Sequence, residues 1–190
     1  MTFEFADFKS RCIISRRSNL WSYPYIEPFL VSVKEVFKTM VHTHLRPGMA
    51  FIKVNETSEY DINAIIGLSG AVTGCLVLSM SEEVALKLAS AFSGEDISEL
   101  DEEDCIDAIS EITNMIASGA KKSLPGKNIL SSLPSTIIGR NKVVYPHDIP
   151  ITVIPCETDL GPLKINVVIR NNRAHADDDA LKPTLQAERT

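Results

Sequence analysis

The sequence predicts an α+β fold in which two long helices and a shorter one pack on a mostly antiparallel sheet of about six strands. Three observations support this. Apolar residues recur at helical spacing in two long stretches, each closed by a Pro-Gly pair. Six short runs rich in β-branched residues are divided by Asn, Ser and Gly turns. The order is helix, three strands, short helix, helix, three strands. Without βαβ alternation this reads as a pseudo-duplicated helix–three-strand unit, not a doubly wound parallel sheet.

Residues 1–22 are mixed and weakly periodic, with a basic pair at Arg16 and Arg17 and the lone Trp21, and are read as an N-terminal extension. Pro28 suits a first helical turn, and Phe29, Val33, Val36, Phe37, Met40 and Val41 give a helix over about 26–44. Strand-like runs at 49–54, 62–68 and 72–80 follow, and their short turns predict an antiparallel meander. Ser81 opens a helix over 82–92, with Gly94 past its end. The second long helix runs from about 101 to 124. Its first turn holds Glu102, Glu103 and Asp104, which the partial positive charge of a helix N-terminus stabilises. Further strands are expected at 135–139, 149–156 and 163–170. The domain therefore spans 23–170. Residues 171–190 are polar and nearly free of large apolar groups, so they are expected to form a disordered tail.

Composition limits the classes of function. The chain has 190 residues, 44% of them apolar and 23% charged, which is enough to build a core. Its formal net charge of −6 speaks against nucleic acid and against an anionic membrane surface as partners. No apolar run is long enough to span a bilayer. Acidic residues stand near the N-terminus where a signal peptide has a basic and then an apolar stretch, so a cytoplasmic location is expected. Cys12, Cys75, Cys105 and Cys156 form no C-x-x-C pair, and His42, His44, His147 and His175 show no metal-ligand spacing. No disulfide, metal or cofactor of the chain's own is expected, and no G-x-G-x-x-G or phosphate-binding loop supports nucleotide binding.

The second long helix carries the feature of interest. With Asp107 at zero and 100° per residue, Glu111, Asn114, Ser118 and Lys121 fall within about 40° of it, while Cys105, Ile109, Ile112, Met115, Ile116 and Gly119 take the opposite side. A polar stripe is what most globular helices turn to water, so geometry alone leaves a solvated face and a functional face both open. Asn114 is a mediocre helix former at mid-helix, a departure that costs only a few tenths of a kcal/mol.

The run from Asp107 through Glu111 and Asn114 to Gly119 and Lys121 resembles the CheX/CheC chemotaxis phosphatases. Their signature is Asp or Ser, three residues, Glu, two residues, Asn, and a proline some twenty-odd residues on. Asp107, Glu111 and Asn114 match in type and spacing, and Pro134 in Leu133-Pro134-Ser135 is the corresponding proline, at a slightly short distance. Tyr25 to Phe29 with Val36, Phe37 and Met40 is similar to the family's opening helix, and Gly70 to Gly74 to the approach to its third strand. The first long helix lacks an acid–amide pair at the required spacing, which matches the single-site CheX type.

The resemblance implies a phosphatase acting on the aspartyl phosphate of a CheY-like response regulator. Asn114 would position the attacking water, Glu111 would engage the regulator's lysine, and Asp107 and Pro134 would support them. It further implies Mg²⁺ on the partner regulator and a homodimer joined through sheet edges. The alternatives are a catalytically inactive module that binds or sequesters a regulator, and a flagellar-switch-associated component.

Overall fold

The computed structural model describes residues 23–53, 60–126, 128–139, 143, 145 and 149–172. Helix α1 spans Tyr23–Thr39. It starts earlier than the periodicity suggests, so Pro28 lies in the second turn, where its missing N–H costs only one bond to the frayed start. It also stops short of residue 44. His42 takes a left-handed conformation (φ 56°), and the Thr43 N–H reaches back to the Phe37 carbonyl at 3.0 Å.

Helix α2, Glu82–Ser93, is capped by Ser81 Oγ, which accepts from the Val84 N–H at 3.4 Å. It closes on Gly94, whose φ of 80° suits a residue without a Cβ. A short 3₁₀ turn at Ile97–Glu99 leads into α3, Glu102–Ser123. Here Asp101 and Asp104 bond reciprocally to each other's N–H at 2.9 and 3.1 Å, so the acidic start of this helix is a capping box as well as a dipole partner.

Among the described residues eight strands form one sheet, all pairs antiparallel. They are β1 Arg46–Pro47, β2 Phe51–Lys53, β3 Ile62–Ser69, β4 Val72–Met80, β5 Leu130–Ser131, β6 Ser135–Ile138, β7 Ile151–Thr158 and β8 Gly161–Asn171. The count exceeds six because the first strand of each half is split in two. The expected meander is corrected. β3 and β4 form a hairpin, but β2 pairs with β7 on the far edge, and its counterpart β6 pairs with β3. The two halves thus exchange their first strands. The order β1/β2–β7–β8–β4–β3–β5/β6 reads the same from either end when the halves are interchanged. β8 also carries the domain to Asn171. Asn172 donates to the Gly70 carbonyl and to Thr73 Oγ1, each at 2.8 Å, so the tail cannot begin at 171. The expected 1–22 extension and residues 173–190 lie outside the described residues.

The helices cover one face of the sheet. Phe29 and Phe37 of α1 and Ile109, Ile112 and Ile116 of α3 are buried against Ile66, Leu76, Leu78 and Met80. The opposite face is not left to water: Val77, Val153 and Val168 pack under Val143, Tyr145 and Ile149. Burial on both faces explains why strands such as β4 read as nearly continuous apolar runs. Helices α1 and α3 meet closely. The Ser32 hydroxyl donates to the Ile116 carbonyl at 2.7 Å, and a Cβ on Gly119 would overlap Ser32 Oγ and stand 3.2 Å from its Cβ.

Candidate functional site

The core-facing side of α3 settles which way the stripe looks. Ile109, Ile112, Ile116 and Ala120 are buried, whereas Asp107 and Glu111 are exposed and Asn114, Ser118 and Lys121 are half-buried. No hydrogen bond joins the side chain of Asp107, Glu111 or Asn114 to any described residue. These three side chains keep their donors and acceptors for water or a partner.

A second element borders the stripe. Ser110 Oγ lies 2.8 Å from Thr136 Oγ1 on β6, and Lys121 Nζ donates to Ser131 Oγ on β5 at 2.7 Å. The eleven helical steps from Ser110 to Lys121 rise about 16 Å. The five extended steps from Thr136 back to Ser131 cover about the same. The edge strand therefore runs antiparallel alongside the stripe. Asn114, about 6 Å above Ser110, comes level with a residue about two positions before Thr136. That residue is Pro134, half-buried. Asp107, Glu111 and Asn114 thus share one helix face, and the rise along the two elements puts Pro134 on the strand that borders it.

The fastening of this edge to α3 leaves no mark in the sequence. Ser110 and Thr136 are small hydroxyl residues at unremarkable positions, and only the fold places them opposite each other. Lys121 was visible as part of the stripe, but its bond to Ser131 was not. The thiols among the described residues offer no nucleophile. Burial pushes Cys75 up to about 11 and Cys156 up to about 12, and burial with nearby Glu82 and Glu102 raises Cys105. Among the described residues no cluster of three His, Cys, Asp or Glu could hold a metal, and no helix is long and apolar enough to cross a membrane.

The acid–amide stripe of α3, bordered by the sheet edge, is an open surface of the domain. The family model of the chemotaxis phosphatase CheX matches residues 62–157, and the chain belongs to that family. It is 28% identical over 119 residues to the CheY-P phosphatase CheX of Thermotoga maritima, covering 61% of this chain and 76% of that one. The crystal structure of the chemotaxis protein CheX from Desulfovibrio desulfuricans superposes with a TM-score of 0.70 at 24% identity, over 77% of this chain and 99% of the other. A chain of the CheX–CheY–BeF₃–Mg²⁺ complex from Borrelia burgdorferi gives 0.65 at 27% identity, over 77% and 97%.

Proposed function

We propose that the chain dephosphorylates the aspartyl phosphate of a CheY-like response regulator. One observation carries the reading: the Asn114 carboxamide is half-buried, beside exposed Glu111, and bonded to no described residue. The Thermotoga relative is named a CheY-P phosphatase, and the Borrelia relative is seen with CheY, BeF₃ and Mg²⁺, which supports the same partner class here.

The chemistry asks little of the chain. Water forms a bond to phosphorus as the acyl-phosphate P–O bond breaks, releasing the regulator's carboxylate and inorganic phosphate. An amide suits the task of holding that water, because it donates from its NH₂ and accepts at its oxygen. Asn114 takes this role. Glu111, one helical turn away, pairs with the regulator's active-site lysine, and Asp107 supports the N-terminal end of the stripe. Pro134 keeps the edge strand against Asn114. The chain brings no cofactor, and Mg²⁺ on the regulator offsets the phosphoryl charge. The reaction is placed in the cytoplasm. A homodimer is proposed through the β1/β2 edge, where Phe51 and Ile52 are exposed.

The test is phosphate release from a CheY-like receiver domain charged with acetyl phosphate and Mg²⁺. Asn114→Ala should lower kcat about 10²-fold or more, the scale for losing one transition-state donor, with thermal unfolding unchanged. Glu111→Ala should weaken binding of the charged receiver instead. Near-wild-type turnover by Asn114→Ala would rule the assignment out. Binding without turnover by the wild-type chain would leave the regulator-binding module.

A further inference from the structure

The edge strand beside the stripe is broken at one point. Ser131 pairs with Leu68 and Ser135 with Ile65, so four steps along the edge match three along β3. The Ser132 N–H donates to the Gly67 carbonyl at 2.9 Å. Leu133 and Pro134 together therefore oppose the single residue Ile66, which is a β-bulge. A bulge turns a side chain out of the pleat, and this one is fixed. Ser132 Oγ accepts from the Gly67 N–H at 3.0 Å and donates to the Leu133 carbonyl at 2.7 Å. Ser131 and Thr136 tie its two flanks to α3. Pro134 needs no ladder partner and restricts the backbone of Leu133 to extended conformations. Held in this frame, the Leu133 side chain is 86% exposed.

We propose that Leu133 is the apolar anchor by which the chain recognises the phosphorylated receiver domain that Asn114 addresses. The inference rests on the function proposed above and adds a specificity-determining residue to it. A partner covering about 800 Å² of this surface and centred on Asn114, a disc about 16 Å in radius, includes Leu133. Beyond the single Glu111–lysine pair, net charge opposes the encounter. A chain of net charge −6 presenting Asp107 and Glu111 to a phosphorylated acidic pocket meets repulsion. Apolar burial is indifferent to that repulsion, and one leucine anchor is enough to shift affinity about tenfold. The first half of the chain provides an internal control. Pro47 pairs with Cys156 and Phe51 with Val153, so Met49 sits in the matching bulge on the far edge, exposed but away from the stripe.

The experiment uses the full chain and a CheY-like receiver domain charged with acetyl phosphate and Mg²⁺. Leu133→Ala should raise KM about tenfold while kcat stays within about twofold. Leu133→Met should restore KM, Met49→Ala should leave it unchanged, and Asn114→Ala should lower kcat instead. An unchanged KM in Leu133→Ala, or an equal rise in Met49→Ala, overturns the anchor while the catalytic reading stands. If the wild-type chain releases no phosphate, the catalytic reading falls, and binding of the beryllofluoride-charged receiver decides the anchor. Binding about tenfold weaker in Leu133→Ala upholds it. Equal binding by both chains, or none by either, overturns it.

Discussion

Gly119→Ala is a substitution that helix propensity alone would favour, and the structure reverses the sign. In an exposed helix interior, alanine for glycine gains about 1 kcal/mol. Gly119 is instead the point where α3 lies against α1. A Cβ there would overlap Ser32 Oγ and come within 3.2 Å of Ser32 Cβ, closer than an unstrained contact allows. Ser32 is buried and its hydroxyl is committed to the Ile116 carbonyl at 2.7 Å, so moving it aside breaks a buried hydrogen bond. Overpacking of this kind costs about 1–3 kcal/mol, and loss of the buried hydrogen bond adds about 1 kcal/mol. The clash outweighs the propensity, and the net loss is about 1–3 kcal/mol. At this chain length that lowers the melting temperature by about 3–10 °C. Thermal unfolding followed by circular dichroism measures it. The pair Ser32→Gly with Gly119→Ala, which moves the small residue across the interface, should recover most of the loss. A Gly119→Ala chain melting at or above wild type would refute the close-packing argument.

Two further outcomes follow from the site and the thiols. Thr136→Val should cost about 1 kcal/mol by leaving the half-buried Ser110 hydroxyl without its partner, and adding Ser110→Ala should cost little more; fully additive losses in urea unfolding would show that the two hydroxyls are not coupled. Cys75 and Cys156 have folded values of about 11 and about 12 against 9.0 for a free thiol, so the folded state holds these protons more tightly than the unfolded one. Their contribution is complete below pH 9 and is lost as the pH rises through 11–12. The melting temperature should fall over that window, and Cys75→Ala should flatten the early part of the fall; identical profiles for the two chains would contradict the assignment.

How far the sequence reveals this molecule depends on whether the signal is local. Helix α3 is legible from period, cap and stop because Asp101, the isoleucine ladder and Pro125 all act within a few turns of chain. The acid–amide spacing is legible for the same reason, as residue types at fixed steps on one helix. The meander fails because strand order is decided by pairing between distant segments, and nothing within residues 49–54 states that β2 will pair with β7 across the sheet. The end of α1 fails because His42, a non-glycine residue at positive φ, supplies the left-handed step that a glycine would have announced. The bulge at Leu133 and Pro134 depends on the register of two strands against β3, which no single segment encodes.

The two halves are equivalent in topology, and the reason that only one carries the stripe lies in residues at matching positions. The matching bulges place Ser132 at Gly48 and Pro134 at Ala50, and Ser32 meets Ile116 at the crossing of the helices with the same separation of 84 residues. Applied to the site, that offset puts Glu27 at the place of Glu111 and Leu30 at the place of Asn114. The first half thus retains a carboxylate at the right step, half-buried, but fills the amide position with a leucine that is only 2% exposed. A carboxamide at position 30 would sit in the apolar core without water to hold, and burying it unpaired would cost about 1–3 kcal/mol. The same backbone position is therefore open to water on α3 and closed by the core on α1. What separates the halves chemically is the amide and its access to water, because both halves keep the carboxylate and the bulged edge.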